Sequence, residues 1–311
     1  MSTENHEILR GVITQTTVGS VGAGLLSKDQ IEAFYRIAEL NHPWQAIQKT
    51  YTRVAYEGSL PRIDYGDDVI EPASEAIDSG TFFEPTHDNV PYVMTKLRCA
   101  FKVSYEAEEQ DASEEEYQDE LVDGFTMAWG RAYQRLCWLG DTASASKALK
   151  ANDGWRKQIV ASGNTVDGSL INSGDISIDH FYAAIDALPE AWKQRTNELR
   201  WGISPTKKWE FRKWLSNRPT GLGDGAITQG ADGTMNILGI PCVDVPPITD
   251  EIVLTSPMNT TDVKSPRNFR FRKVTEGLQV VAEDIMAFVG FFHADFVMRE
   301  VEAAVIVQSL N

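Results

Sequence analysis

Residues 113–140 read SEEEYQDELVDGFTMAWGRAYQRLCWLG. Ser113 with Glu116 has the form of a capping box: the serine hydroxyl accepts from the backbone N–H near Glu116 while that carboxylate reaches back. Tyr117, Leu121, Phe125, Ala128, Ala132, Leu136 and Leu139 then recur at three- and four-residue steps, the period of a helix with one buried stripe. Acids crowd its first turn, Arg131 and Arg135 lie near its end, and Gly140 is placed to terminate it, an arrangement that suits the helix macrodipole. The predicted helix spans about 40 Å at the standard rise per residue, which is unusually long for a small globular core.

Working toward the N-terminus, Tyr92 to Tyr105 alternates. Val93, Leu97, Cys99, Phe101, Val103 and Tyr105 are expected on one face, and Lys96, Arg98 and Lys102 on the other. That is the pattern of a long half-buried strand with a basic outer surface. Before it, residues 51–89 are extended and broken by Gly58, Pro61, Gly66, Pro72, Gly80 and Pro85, with no helical period. This excursion carries Glu57, Asp64, Asp67, Asp68, Glu71, Glu75, Asp78, Glu84 and Asp88, and between Glu57 and Asp88 only Arg62 is a lysine or arginine. An acidic arm of this length has few ways to bury itself alone. Ile31, Phe34, Tyr35 and Ala38 predict a short amphipathic helix after Ser27 that His42-Pro43 stops. Residues 1–26 are polar and rich in Gly, Thr and Ser, and read as an extended arm suited to tethering one subunit to another.

Beyond Gly140, residues 141–176 read as loop with one short helix around Trp155, and Ile178–Leu188 as a helix closed by Pro189. Leu199–Ile203 reads as a strand, and Ser204-Pro205 opens a helix through Trp209 and Trp214, with proline in the first turn where its missing N–H costs nothing. A loop is expected over residues 221–233, then strands over 234–238, 242–245, 252–254, 268–273 and 278–282, and a last one, rich in β-branched residues, from Val297 to Val307. The chain shows neither internal repeats nor low-complexity tracts.

The whole chain of 311 residues is 42% hydrophobic and 24% charged, with eight tryptophans, enough to fill a sizeable core and inconsistent with global disorder. No stretch reaches the length needed to cross a bilayer, and the first residues lack the basic start and apolar run of a secretory signal. Cys99, Cys137 and Cys242 are far apart without CxxC spacing, as reduced, buried thiols would be. A net charge of −16 argues against sequence-specific nucleic-acid binding, which draws its affinity from Lys and Arg.

No motif for metal, cofactor or catalysis survives scrutiny. His6, His42, His87, His180 and His293 are scattered without HExxH spacing. Gly221-Leu222-Gly223-Asp224-Gly225 lacks the third glycine of a dinucleotide loop and follows a helix instead of a strand. Asn259-Thr260-Thr261 matches a glycosylation pattern in a chain without a secretory signal. No nucleophile, base and electrostatic donor converge at recognisable spacing, so no catalytic, metal or cofactor site is expected.

RWGISPTKKWEFRKWLS (200–216), TMNILGIPCVDVP (234–246), EIVLTSPMNTTDVKSPRNFRFRKVTEGLQVVAED (251–284) and AFVGFFHADFVMREVEAAVIV (287–307), taken with the order and lengths of the elements, resemble the tailed-bacteriophage major capsid proteins of the Hong Kong 97 capsid fold, which encapsulin shells share. The second text is the most specific, and the likeness covers most of the chain. It implies an α+β fold with an N-terminal arm and short helix (1–46) and an extended E-loop hairpin (50–90). A peripheral domain would begin over 91–144 with a return strand (92–106) and a long spine helix (113–140). An axial domain with some peripheral elements (145–265) and C-terminal peripheral strands (266–311) would follow.

The function so implied is self-assembly into pentamers and hexamers of an icosahedral phage head around double-stranded DNA, made in the host cytoplasm and ending in the virion, with no enzymatic activity. The implied partners are further copies, a portal, a separate scaffolding protein, a decoration protein where one is present, and packaged DNA contacted non-specifically. An encapsulin-type compartment is the alternative reading, and a cytosolic α+β hydrolase or transferase a more distant one. Some relatives weld their shells through an E-loop lysine. Here no lysine lies between Lys49 and Lys96, so a shell without such cross-links is expected. Only a short arm precedes the first helix, so scaffolding is expected from a separate protein or not at all. The resemblance also lays the E-loop over a neighbour's peripheral domain. Its acids Asp64, Asp67, Asp68, Glu71 and Glu75 then need a basic partner, which either Lys96, Arg98 and Lys102 or Arg267, Arg270, Arg272 and Lys273 could supply.

Overall fold

A computed structural model describes residues 42–64, 84–104, 114–217, 227–229, 235–265, 270–274, 283 and 285–310. The expected arm and the helix after Ser27, most of the acidic excursion's middle, the Ser113 cap, the Gly221–Gly225 loop and the strand over 278–282 lie outside them. The elements begin with α1 (Pro43–Ile47), β1 (Lys49–Thr52), β2 (Glu57–Asp64), β3 (Thr86–Val93), β4 (Thr95–Ser104) and α2 (Glu114–Leu139). They continue with α3 (Trp155–Ser162), β5 (Thr165–Asp167), α4 (Ile178–Asp186), α5 (Glu190–Lys193), β6 (Arg200–Ile203) and α6 (Pro205–Ser216). Eight strands follow: β7 (Ile227–Gln229), β8 (Met235–Ile237), β9 (Ile240–Asp244), β10 (Ile252–Thr255), β11 (Thr260–Lys264), β12 (Arg270–Val274), β13 (Ile285–Met298) and β14 (Val305–Gln308).

Two sheets and a ribbon organise these strands. In the first sheet β13 is the common partner, paired antiparallel with β4 along Ile285–Ala294, with β12 along Ala287–Phe291 and with β11 along Ala294–Met298. Parallel β1 extends it beyond β11. The second sheet runs β5-β14-β10-β6-β9-β8-β7. The ribbon is the antiparallel hairpin of β2 and β3, in register from Glu57–Val93 out to Asp64–Thr86.

Side-chain alternation assigns the sheets to two cores. On β10, Val253 enters one core while Ile252 and Leu254 enter the other, and on β14 Ile306 opposes Val305 and Val307 in the same way. The second sheet is therefore covered on both faces, as its nearly continuous apolar strands require. Its outer face packs on α4 and α6, with Phe181 in edge-on contact with Trp201 and 4.9 Å from Phe211. The other core lies between the sheets and is built on aromatic rings. Trp44, Trp138, Trp155 and Phe296 form a chain of edge-on contacts with centroids 5.2–6.2 Å apart, and Trp129 and Tyr133 stack at 4.9 Å.

Several sequence expectations hold here. The helix ends at Leu139 and Gly140, the helix around Trp155 is present, and the strand-proline-helix order of β6 and α6 is as read, with Ser204 Oγ accepting from Lys207 N at 3.2 Å. Others need correction. The buried stripe of α2 runs through Trp129, Tyr133, Leu136 and Cys137, while Ala128 and Ala132 are exposed; the large rings, which gain most from burial, turn the helix away from the alanine register. Pro43 opens a helix of its own, seating Trp44 with no exposed surface, while the run that it is expected to stop lies outside the described residues. The strand from Tyr92 breaks at Met94, so Val93, expected inside, is 58% exposed while Tyr92 and Met94 are buried. The final strand is really two: β13 ends at Met298 and β14 joins the second sheet. The 221–233 loop contains β7, and β5 and β11 were not read from sequence at all.

Strand β11 is buried throughout despite its sequence TTDVK. On its core face, Asp262 is paired with Lys264 at 2.7 Å, with side chains 0% and 4% exposed, and the Tyr133 hydroxyl donates to the same carboxylate at 3.2 Å. Removing one partner of such a pair is far costlier than removing both, because a lone buried charge remains. Lys264→Met is expected to lower stability by about 3–5 kcal/mol in urea unfolding of the chain, and Asp262→Asn with Lys264→Met to cost less than that single change. At Gly140, an added Cβ would lie 2.4 Å from Asn152 O and 2.6 Å from Leu136 O. Gly140→Ala is expected to lower stability by about 1–3 kcal/mol in the same assay.

Candidate assembly interface

The pleat of the first sheet sorts its residues between a core face and an outer face. On β13, Phe292, Ala294, Phe296 and Met298 enter the core between the sheets. The alternate residues form the outer face, and Val297 there packs with Leu60, Tyr92, Met94 and Val263. The hairpin β2–β3 is rooted on that patch. Leu60 is 1% exposed, Arg299 Nη2 donates to Pro61 O at 3.3 Å, Arg62 lies 3.7 Å from Glu300, and Met94 N donates to Tyr56 O at 2.8 Å. At Gly58 a Cβ would lie 2.7 Å from the Tyr92 hydroxyl, so glycine lets the ring cross the ribbon. Toward the tip this cover ends: Thr86 to Asn89 are all exposed and Ile63 is 49% exposed. A two-stranded ribbon is marginally stable unless something packs on it.

The same outer face carries the cations. Arg98 and Arg270 both pair with Phe291, from opposite edges of β13, and Ala100 and Arg272 likewise both pair with Val289. Lys96 is in register with His293 and Lys102 with Ala287. Directly paired residues share a face of the sheet. By backbone register, positions 96, 98, 102, 270 and 272 therefore share one face of the sheet, drawing on both clusters that the sequence offers as alternatives. Lys273 does not belong to it, since it is in register with Phe288 and Phe101 on the opposite face. Arg267 lies outside the described residues.

Lys96, Arg98 and Lys102 are exposed. Lys96 Nζ sits 4.6 Å from the Phe291 ring centroid, and Lys102 is bonded to Glu283 at 2.9 Å, with the two side chains 66% and 43% exposed. An ion pair so open to solvent contributes about 0–1 kcal/mol, so it holds Lys102 only weakly. Sequence reading missed Glu283, because nothing local ties it to a lysine 181 residues away. Of the acids named from sequence, Asp64 closes β2 opposite Thr86. Asp67, Asp68, Glu71 and Glu75 lie outside the described residues.

The cysteines and the buried histidine of the described residues are in structural settings. Burial pushes the Cys99 thiol up to about 11 and the Cys242 thiol up to about 12, where neither forms a thiolate at neutral pH. His180 Nδ1 accepts from Ser177 N at 3.1 Å and its Nε2 faces Gly168 O at 3.2 Å, a capping role. Among the described residues no group of three or more His, Cys, Asp or Glu is placed to hold a metal ion, and no helix is long and apolar enough to cross a membrane.

No family model matches the sequence. It is similar to YqbE of Bacillus subtilis strain 168, provisionally assigned as a prophage capsid protein, at 22% identity over 236 residues that span 72% of this chain and 70% of that one. Among solved structures, a chain of the satellite phage P4 procapsid that includes the size-determination protein superposes with a TM-score of 0.69 at 13% identity, over 100% of this chain and 98% of that one. The SrpI encapsulin of Synechococcus elongatus superposes with a TM-score of 0.56 at 9% identity, over 96% and 95%. Phage capsid proteins are thus among its relatives both by sequence and by fold.

Proposed function

We propose that this chain, which has the Hong Kong 97-type capsid fold, is the shell-forming subunit of a phage head. Copies of it associate into pentamers and hexamers of an icosahedral shell that holds double-stranded DNA in the virion. The observation that carries this reading is the superposition on a procapsid chain along the full length of both. In this reading residues 50–90 are the E-loop and the first sheet with α2 is the core of the peripheral domain. The second sheet with α4 and α6 is the axial domain, now including β14. The role is mechanical: association energy repeated around a closed shell, with no catalysis. Portal, a separate scaffolding protein, and a decoration protein where the shell carries one are the further partners, and assembly takes place in the host cytoplasm.

The two surfaces described above suit heterologous association, in which one patch of a subunit meets a different patch of the next and the contact closes on itself around a ring. The subunit's own hairpin root covers the β11 end of the outer face and leaves the cations at the β4 and β12 end uncovered by it. The acidic hairpin of a second copy, with Asp64, Asp67, Asp68, Glu71 and Glu75, is the complementary occupant of that end. Each pair contributes little, about 0–1 kcal/mol, and gains weight only by repetition. The encapsulin likeness supports a second reading, a compartment for a cargo protein. The contents decide between them: nuclease-protected DNA in particles from the native source supports a phage head, and a protein cargo supports a compartment.

Expressed alone or with a scaffolding protein, the chain is expected to give hollow polyhedra, tubes or sheets with a hexagonal lattice in negative-stain electron micrographs; a small oligomer at every salt concentration under both conditions would overturn the shell reading. Arg98→Glu combined with Arg270→Glu and Arg272→Glu is expected to leave the subunit folded by circular dichroism and to abolish particles on the same grids. Normal particles from that variant would sink the docking surface while leaving the shell reading intact.

A further inference from the structure

We propose that Asp295 is a proton-operated latch on the root of the β2–β3 hairpin, closed when its carboxylate is ionised and open when it is protonated. The hairpin is joined to the first sheet at one step of the backbone. The β2–β3 ladder ends at Glu57–Val93, and the β4–β13 ladder begins at Thr95–Ala294. At that step the N–H of Val93 is taken by a side chain in place of a strand: Asp295 Oδ2 accepts from Val93 N at 2.8 Å. The other carboxylate oxygen is doubly engaged, Oδ1 accepting from Phe296 N at 2.9 Å and from Asn152 Nδ2 at 3.2 Å. Asn152 is itself anchored by donation to Ala294 O at 2.8 Å.

This asymmetry decides where a proton goes. Protonation places an O–H donor on one carboxyl oxygen and leaves that oxygen a far weaker acceptor. Protonating Oδ1 would sacrifice two hydrogen bonds, whereas protonating Oδ2 sacrifices one, so the proton settles on Oδ2 and sets an O–H against the Val93 N–H. The bond lost ties the Val93 end of the hairpin to β13, beside the Leu60 packing and the Arg299–Pro61 contact that hold it further along. Burial holds this carboxyl above the ordinary 3.8; Asp153 adds to the effect, and the N–H groups of Val93 and Phe296 and the Asn152 amide oppose it. The charged groups around the step are few. Asp153 is bonded to Lys157 at 2.7 Å on the α3 side, Glu57 is paired with Val93 in the ribbon, and on β13 the His293 ring lies tilted against Tyr56 with centroids 4.6 Å apart.

The sign separates this event from acid unfolding. The folded chain binds the Asp295 proton more tightly than the unfolded chain does, so this group adds to stability as pH falls through its folded value toward 3.8. The latch opens in that window while the body around it is not weakened by the same proton. Nothing in this depends on the shell reading; within it, the latch would set how firmly the hairpin is held when a neighbour takes it.

Hydrogen exchange of the full chain, followed in peptides covering Val90–Thr95 and corrected for intrinsic rates, tests the latch. Protection of the Val93 amide is expected to fall about tenfold or more between about pH 7 and about pH 4, the loss of one charge-assisted bond, while the Leu254 amide in the second sheet stays protected. Asp295→Asn, which sets an NH₂ where the protonated oxygen would be, is expected to show the low protection at both pH values. Asp153→Asn removes a neighbouring charge that favours the protonated carboxyl and is expected to move the opening to lower pH, which keeps the test decisive should Asp295→Asn fail to fold. Val93 protection that is independent of pH, or as high in Asp295→Asn as in the wild type at neutral pH, or an Asp153→Asn transition at an unshifted pH, would each overturn the proposal.

Discussion

Everything in the first sheet depends on one strand, β13, keeping three pairings in register over its 14 residues. Its two faces meet different demands. Phe292 and Phe296 belong to the aromatic core beneath α2, Val297 holds the hairpin root above, and Asp295 reaches the junction between them. Because strand period is two, slipping β13 by one residue against β4 would exchange these faces, sending Asp295 toward the tryptophans and Phe296 toward the hairpin. The register is fixed by how costly that exchange is, and the continuity of the cationic surface across β4 and β12 comes with it.

The buried pair of Asp262 and Lys264 sits on the same scaffold and follows a different logic. Two charges in a dry core seldom add net stability, since their desolvation offsets most of their attraction. Their effect here is on arrangement: with Asp262 opposite Phe296 and Lys264 opposite Ala294, both face the core, and Val263 between them is left to face the hairpin. Any other register would place an unpaired charge among rings. Specificity of this kind is what a strand of sequence TTDVK needs, because its apolar content alone would not choose a face.

What could be read from the sequence was local. The long helix, the proline-opened helix after β6, and the short helix around Trp155 each carry their signals within a few residues: a cap, a period, a glycine at the end. What was missed depends on distant partners. Nothing in Thr260–Lys264 says strand until β1 and β13 flank it, and the break at Met94 has no turn residue to mark it. The α2 stripe was set one register off because alanines fit a helical period as well as aromatics do, and only the ring of Phe292 against Trp129 and Tyr133 shows which side is inside. The cationic face was half legible. Both basic clusters were found, but that they share one face is a property of β13, which lies between them in space and after both in sequence.

The position of β14 bears on the order in which the molecule can be made. In the second sheet it lies between β5 and β10, pairing with strands that precede it by roughly 140 and 50 residues. On a translating ribosome, β10 has no neighbour on that edge and Trp155 lacks part of its cover until Gln308 has left the exit tunnel. Contacts of such long sequence separation form slowly and late, and the half-built sheet exposes an apolar edge meanwhile. A nascent or truncated chain without β14 therefore presents an adhesive strand edge that β14 later hides, so adding this strand also removes an opportunity to pair with the wrong neighbour.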